Sequence, residues 1–343
     1  MIEQQIVQDD GIVNPSACQE RSERETTLGY PRLIKSVLIS TVTGVILYGA
    51  ATLAGDYQAI SQALMNFPLD TLALVLLLVV VGWLLRGWRF YYYLQSNGAS
   101  VPLGYSISSF LAGFALTSTP GKLGEAVKGI FLKQDYGVSV TRVVGIVMME
   151  RLMDLAGVLL LASFSVLLFK GWEKLFLLCA ALVIAGGAFL CMESLYRPVL
   201  EWLGRFSILR KISERVLGIL ETGRSLVTGR ILAVGLVVST VAWGMESVSL
   251  YLILQGFNLQ STLLQANFVY CISTLVGALS MLPGGIGGTE AGMIGLLKFM
   301  GITYTEGLPS VLLIRLCTLW FAIAVGVGFM VMMLTGSGRK KNR

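Results

Sequence analysis

The sequence is dominated by long apolar blocks that carry no charged side chain. Three of them, residues 37–55, 175–192 and 259–282, contain no Asp, Glu, Lys or Arg. A helix needs about 20 predominantly apolar residues to cross a bilayer, and it satisfies its own backbone hydrogen bonds in lipid. Because 55% of the residues are hydrophobic and 13% are charged, against about 25% charged in a typical soluble domain, we predict an all-α polytopic membrane protein. We expect about eight hydrophobic segments on this length criterion.

Polar segments flank and divide this membrane region. Residues 1–30 are polar with mixed charge, which predicts a disordered cytoplasmic tail. Residues 31–336 form the predicted transmembrane domain, and residues 337–343 form a basic cytoplasmic tail. Residues 193–230 contain seven Lys or Arg together with apolar residues at helical spacing. This pattern predicts a cytoplasmic amphipathic linker.

The composition excludes several classes of function. The chain has no histidine, which removes the usual general base and the commonest metal ligand. The five cysteines form no C-x-x-C motif. The net charge of +6 is spread between apolar blocks and suits anionic lipid headgroups. We therefore predict no metal, no cofactor and no nucleic-acid partner, and the oligomeric state is not indicated.

Two similar breaks interrupt the apolar sequence and indicate an internal repeat. Residues 120–125 read P-G-x-x-G-E, and residues 283–290 read P-G-x-x-G-x-x-E. Arg151 follows the first break at nearly the same distance as Arg315 follows the second. Upstream of the breaks, a tryptophan is followed three residues later by a charged residue in both halves. The repeats cover about residues 69–192 and 231–335.

The distribution of Lys and Arg indicates how the two repeats are oriented. If every apolar block crossed the membrane, residues 193–230 would lie outside, against the positive-inside rule. If each Pro-Gly break instead marks a re-entrant hairpin, all the basic segments lie inside. The repeats are then inverted copies, with about six full spans, two re-entrant helical hairpins and both termini cytoplasmic. The alternative is eight ordinary spans with Pro-Gly loops at the surface.

Three short motifs lie at the two breaks and in the long apolar block after the first. They are P-G-K-L-G-E at residues 120–125, E-R-L-x-D at residues 150–154 and L-P-G-G-I-G-G-T-E at residues 282–290. Together they resemble the lysylphosphatidylglycerol synthase transmembrane-region family, also called flippase-like or UPF0104 proteins, over about residues 86–334. The resemblance implies a unit that moves a lipid between leaflets, in some relatives beside a soluble aminoacyl-transferase domain. We expect the membrane part alone here.

Basic residues within the spans and glycines at the breaks are candidates for binding a lipid phosphate. Glycine permits close approach, helix N-termini attract anions, and a guanidinium binds phosphate in a bidentate manner. The alternatives are close helix packing for the glycines and internal ion pairs for the arginines, with Asp154 and Glu290 as partners. The candidates are Arg151, Arg315, Lys128, Gly121, Gly124, Gly284, Gly285, Gly287 and Gly288. The hairpin breaks themselves are marked by Pro120 and Pro283.

Acidic residues within the spans are candidates for gating or for ion pairs. The two that follow the breaks are suited to cap a helix, to pair with an arginine or to carry a proton. Glu150 and Asp154 share one helix face, so their carboxylates repel unless a cation such as Arg151 or Lys128 lies between them. The candidates are Glu125, Glu150, Asp154, Glu246 and Glu290.

Two further arginines lie near the end of the second apolar block. Arg86 and Arg89 are followed by a run of aromatic residues, a combination typical of a membrane interface. We expect their side chains to reach the cytoplasmic surface or to gather anionic lipid. Glu246 stands alone in its block and needs a partner, for which both arginines are candidates by the symmetry of the repeats.

These features favour a multi-pass lipid flippase or transporter of the cell membrane, with membrane lipids as its partners. The lipid is expected to be anionic or phosphate-bearing: a phospholipid, an aminoacylated phospholipid or a polyprenol-linked lipid. One alternative is a non-transporting subunit that works with separately encoded lipid-synthesis enzymes. Another is a magnesium-dependent enzyme using Glu125, Glu150 and Asp154. No catalytic motif is present, so we do not expect an enzyme.

Overall fold

A computed structural model of the chain describes residues 57–117, 123–166, 171, 173–280 and 282–340. Within these ranges the chain consists of helices joined by short turns, and no strand occurs. The segments predicted at residues 1–30 and 37–55, the break residues Pro120 and Gly121, and the last three residues of the basic tail lie outside the described residues.

The described helices follow one another with few intervening residues. In chain order they are α1 (Tyr57–Met65), α2 (Leu69–Ser96), α3 (Leu103–Ala112), α4 (Leu123–Tyr136), α5 (Val140–Val166), α6 (Glu173–Cys191), α7 (Glu193–Leu203), α8 (Ser207–Ser225), α9 (Gly229–Gly256), α10 (Leu263–Leu279), α11 (Gly288–Phe299), α12 (Tyr304–Arg315) and α13 (Phe321–Lys340). A 3-10 turn, Gly113–Leu116, extends α3, and a π-helical turn, Leu316–Trp320, joins α12 to α13.

Three stretches of the described chain are long and apolar enough to cross a membrane. They are α2, α9 and the continuous run Tyr304–Thr335. The pair Phe176–Cys191 and Tyr196–Leu203, bent by 66°, makes a fourth if it is counted as one span. The helix α5 is 27 residues long but carries several charged side chains. The chain is therefore a helical membrane protein with three or four candidate spans in its described part, and the larger number of segments stays a prediction.

The helices α2 and α9 form an antiparallel pair. Each is 28 residues long. Phe67, just before α2, lies against Gly256 at the end of α9, whereas Tyr93 near the end of α2 lies against Gly235 near the start of α9. Between these contacts, a Cβ on Gly82 would lie only 3.5 Å from a backbone oxygen of α9. The two backbones therefore approach closely midway along the pair.

The long helices after each break pack across this pair in a reciprocal manner. The helix α5 packs against α9 and α10, whereas α13 packs against α3 and its 3-10 turn. Small residues bring the helices close: a Cβ on Gly157 of α5 would lie 2.8 Å from Ser239, and Gly326 of α13 lies against Phe114. Each half of the chain thus places a long helix on the other half, and the packing of α5 on α9 brings Asp154 beside Ser239.

The second Pro-Gly break turns the chain back on itself and makes α10 and α11 a helical hairpin. Gly284, Gly285 and Gly287 have φ angles of 63°, 67° and 89°, a left-handed region that strongly favours glycine. The side chain of Thr289 at the start of α11 fits against Gly277 of α10. The glycines therefore serve both the turn and the close packing of the two hairpin arms.

Candidate functional site

A buried arginine joins three helices at the middle of the molecule. Arg89 of α2 is fully buried, with 0% of its surface exposed. Its guanidinium donates to a carboxylate oxygen of Asp154 at 2.8 Å and to the hydroxyl of Ser239, and it lies 3.7 Å from a carboxylate oxygen of Glu150. Burying a charge is costly unless partners of opposite charge and hydrogen bonds surround it. Helices α5 and α9 supply those partners.

A second cation approaches the same carboxylates from α4. The ammonium of Lys128 lies 3.3 Å from the Glu150 oxygen that does not face Arg89. It also lies 4.3 Å from the ring centre of Phe110 and 5.0 Å from that of Phe90. Aromatic faces attract cations, and they do so more strongly where water is excluded. Glu150 therefore bridges two cations that reach it from different helices.

A third cation links α2 directly to α9. Arg86 forms an ion pair with Glu246, and its guanidinium lies 4.4 Å from the ring centre of Trp243. The phenol of Tyr270, on α10, donates to the other carboxylate oxygen of Glu246. The Arg86 and Glu246 residues are 9% and 5% exposed. This pair is therefore shielded from water by the aromatic rings around it.

Arg151 lies at the edge of these buried charges. One of its guanidinium nitrogens is 3.4 Å from Asp154, and 39% of its side chain is exposed, against 0% for Arg89. Asp154 is thus shared between a buried and a partly exposed arginine. We name the whole set the central ionic cluster. Its members are Arg86, Arg89, Lys128, Glu150, Arg151, Asp154 and Glu246.

A smaller set of contacts, the break cluster, holds the second Pro-Gly turn and consists of Gly284, Gly287, Glu290 and Arg315. The Arg315 guanidinium donates to Glu290 at 2.7 Å and to the carbonyl of Gly284 at 2.8 Å. The other oxygen of Glu290 accepts the backbone N–H of Gly287 at 2.8 Å, which caps α11. Arg315 lies immediately before the π-helical turn, a feature often found at functional sites.

Most of the residues singled out from the sequence fall in these two clusters. Arg151 lies beside Asp154, Arg315 beside Glu290 and Lys128 beside Glu150, which are the ion pairs given above as alternatives to phosphate binding. Gly285 and Gly288 lie in the second turn and at the start of α11. Gly124 and Glu125 lie in the first turn of α4, whereas Pro120 and Gly121 lie outside the described residues.

The positions of Arg86 and Arg89 differ from the interfacial placement expected from the sequence. Both side chains are buried because α2 continues to Ser96, which places them inside the helix bundle and not at its end. Their carboxylate partners lie on α5 and α9, far away in sequence. Glu246 is paired with Arg86, one of its two candidates. Sequence reasoning missed Tyr270 and Ser239, although a tyrosine inside an otherwise apolar block is a usable signal.

Comparison with known proteins places these clusters in a family. Residues 33–326 match the family described as the lysylphosphatidylglycerol synthase TM region. The chain belongs to this family. The match includes both breaks and every member of the central ionic cluster and the break cluster. The family description concerns a lipid, so the chain is a membrane protein of a lipid-related family.

Two members of the UPF0104 group are similar to the chain over most of their length, and a third is similar over 37% of its length. A UPF0104 membrane protein from Methanocaldococcus jannaschii is 27% identical over 225 residues, which is 62% of this chain and 91% of that protein. One from Pyrococcus horikoshii is 25% identical over 295 residues, or 77% of this chain and 88% of that protein. One from Methanothermobacter thermautotrophicus is 28% identical over 123 residues, or 36% and 37% of the two chains.

The carboxylates of the central ionic cluster face cationic side chains of the protein. Among the described residues, no group of three or more His, Cys, Asp or Glu side chains is placed to share a metal ion. The oxygens of Glu150 and Asp154 face Lys128, Arg89 and Arg151. In the described structure these carboxylates form ion pairs with lysine and arginine side chains.

Proposed function

We propose that this chain moves an amphiphilic, phosphate-bearing lipid between the two leaflets of the cell membrane. The observation that carries the proposal is the central ionic cluster, which is built on α2, α9 and the long helix α5. A charged residue at the centre of a span costs about 2.5–3.5 kcal/mol on insertion scales. Charges inside such helices are therefore typical of a pathway for a polar or charged substrate, here a lipid headgroup.

We propose further that the two halves are inverted repeats. The helices α2 and α9 have equal lengths, and their residues Arg86 and Glu246, which are 160 positions apart, contact each other. Two equivalent helices that run antiparallel are expected when an axis in the membrane plane relates the repeats. The reciprocal packing of α5 and α13 supports the same relation. In this arrangement both termini and residues 193–230 lie on the cytoplasmic side.

The lipid phosphate would first meet Arg151, the most exposed arginine of the central ionic cluster. A phosphate and a carboxylate present similar paired oxygens to a guanidinium. A headgroup can therefore replace Asp154 at Arg151 while Arg89 keeps Asp154 in place. In the second half, Arg315 would exchange Glu290 for phosphate in the same manner. The arginines that form ion pairs in the described state would thus bind the lipid phosphate in another state of the protein.

We propose that this chain moves the lipid and does not catalyse a reaction on it. The absence of histidine from the sequence and the engagement of Glu150 and Asp154 by cations both support it. The substrate class comprises phospholipids, aminoacylated phospholipids and polyprenyl phosphates, which share a phosphate joined to long apolar chains. Enzymes that make such a lipid are the expected functional partners.

The test is lipid movement in vesicles that contain the purified full-length protein. Labelled phosphatidylglycerol, aminoacylated phosphatidylglycerol and a polyprenyl phosphate are compared in the wild type and in the double variant Arg151→Ala, Arg315→Ala. The matched control is Arg197→Ala, which removes an exposed arginine that, among the described residues, forms its ion pairs with Glu193 and Glu201 of its own helix. We expect movement of one lipid class, lost in the double variant and kept in the control. A folded wild type that moves none of these lipids would favour a non-transporting subunit.

A further inference from the structure

The hairpin formed by α7 and α8 ends in an exposed apolar tip. Trp202, Phe206, Leu209 and Ile212, near the turn, are between 37% and 58% exposed. The rings of Trp202 and Phe206 lie edge to face, with centres 5.3 Å apart. A soluble surface rarely displays adjacent large apolar side chains without a partner. The tip therefore has the properties of a contact surface.

Positive charges without acidic partners surround this tip. Arg205, Lys211 and Arg215 are exposed, and no carboxylate of the described residues lies within ion-pair distance of them. By contrast, Arg210 in the same helix pairs with Glu214 at 2.9 Å. Apolar side chains beside uncompensated cations are the combination that binds an anionic bilayer surface.

The hairpin is held firmly on the rest of the molecule. The chain bends by 66° between α6 and α7, so that α7 leaves the direction of the apolar helix before it. Ser213 of α8 donates to the carbonyl of Leu200 and so ties the two arms together. A Cβ on Gly145 of α5 would lie 2.6 Å from the backbone oxygen of Ile219, which shows how closely α8 packs on α5. These contacts join the two arms of the hairpin and pack α8 against α5.

We propose that this tip is a docking surface for the anionic headgroup region of the bilayer. Trp202 and Phe206 enter the interface between headgroups and acyl chains, where aromatic residues are favoured. Arg205, Lys211 and Arg215 bind the phosphates of anionic lipids around them. A protein partner or a second copy of the chain would also cover the apolar side chains. The three unpaired cations favour an anionic lipid surface.

The test measures the surroundings of Trp202 in the full-length protein reconstituted into vesicles. The fluorescence difference between the wild type and Trp202→Phe isolates this tryptophan. We expect brominated lipids to quench it, and acrylamide in the water to quench it less in vesicles with phosphatidylglycerol than in phosphatidylcholine alone. Raising the salt concentration should reverse that protection, since the attraction is electrostatic.

A matched set of variants separates charge from apolar burial. The triple variant Arg205→Gln, Lys211→Gln, Arg215→Gln should lose the protection given by phosphatidylglycerol, whereas Arg210→Gln should keep it, since Arg210 is already paired. Equal access of acrylamide to Trp202 in both kinds of vesicle would overturn the proposal. Protection that depends on protein concentration and not on lipid charge would assign the tip to a second copy, and would overturn it as well.

Discussion

Arg86 and Glu246 lie 160 residues apart at corresponding positions of two equally long helices, and their side chains pair with each other. In the proposed inverted repeat, a contact between corresponding positions lies on the axis that relates the two helices. If both positions carried the same charged residue, two like charges would be buried together. An arginine on one helix and a carboxylate on the other avoid this repulsion, which makes the pair a suitable fixed point between the halves.

The first expected outcome concerns exchange of these two charges. Arg86→Glu or Glu246→Arg alone places like charges together, and we expect each to lower the free energy of unfolding by about 3–5 kcal/mol. The double variant should recover most of this loss, because opposite charges again face each other between α2 and α9. Recovery should be incomplete, since Tyr270 then loses its acceptor.

Thermal unfolding of the purified protein and of the three variants measures the coupling between positions 86 and 246 as a double-mutant cycle. The single variants give the cost of each like-charge contact, and the double variant gives the coupling. A double variant no more stable than the weaker single variant would show that the two positions are not interchangeable. The relation between α2 and α9 would then be one of packing alone.

The second expected outcome concerns Arg89, which holds helices α2, α5 and α9 together. Arg89→Met keeps the volume but leaves Asp154 and Glu150 buried with fewer cations. We expect a loss of about 3–5 kcal/mol in the free energy of unfolding, the range for removing one partner of a buried pair. The control Arg210→Met breaks an exposed pair and should change it by less than about 1 kcal/mol. Equal losses in both variants would contradict this role.

The sequence predicts local structure well where hydropathy and breaks are strong. The second repeat, expected to begin at about residue 231, begins with α9, Gly229–Gly256, because a polar turn marks its start. The acidic residue after the second break, Glu290, caps α11, Gly288–Phe299, which is one of the roles suggested for it. The pair of Arg315 with Glu290 follows from a spacing that crosses a single turn. In each case the information lies within one or two consecutive segments.

The burial of Arg89 could not be predicted from the local sequence. An arginine next to a run of aromatic residues has the appearance of an interfacial anchor, and only the position of α5 and α9 reverses that interpretation. Its partner Asp154 lies 65 positions further along the chain. No local pattern encodes which helices meet. The geometry of the central ionic cluster therefore required the tertiary structure.

The third expected outcome concerns the turn between α10 and α11. Gly285→Ala introduces a side chain at a φ of 67°, and its Cβ would lie 2.6 Å from the hydroxyl of Thr289. The control Gly301→Ala has a φ of 88° but open space around the added carbon. The left-handed backbone conformation destabilises both variants by about 1–2 kcal/mol. Only Gly285→Ala adds a steric clash. Thermal unfolding should therefore show a larger loss for Gly285→Ala, and equal losses would mean that Thr289 moves aside freely.

The last expected outcome separates the two arginines that occupy equivalent positions in the proposed repeats. The Arg315 side chain is 11% exposed and holds both Glu290 and the Gly284 carbonyl, whereas that of Arg151 is 39% exposed. We expect Arg315→Gln to lower the melting temperature clearly, because the partly buried Glu290 carboxylate and the Gly284 carbonyl of the turn lose their partner. Arg151→Gln should change stability by less than about 1 kcal/mol.

Lipid movement should respond in the opposite order when it is measured on the folded fraction of each variant. Arg151→Gln removes the accessible phosphate-binding group, and the loss of one charge-assisted bidentate contact of about 1.5–3 kcal/mol corresponds to a decrease of about tenfold or more. Arg151→Lys should recover only part of this rate, because an ammonium cannot form the paired contacts of a guanidinium. If Arg151→Gln is instead as unstable as Arg315→Gln and moves lipid at the wild-type rate, Arg151 is a structural partner of Asp154, and the headgroup binds elsewhere.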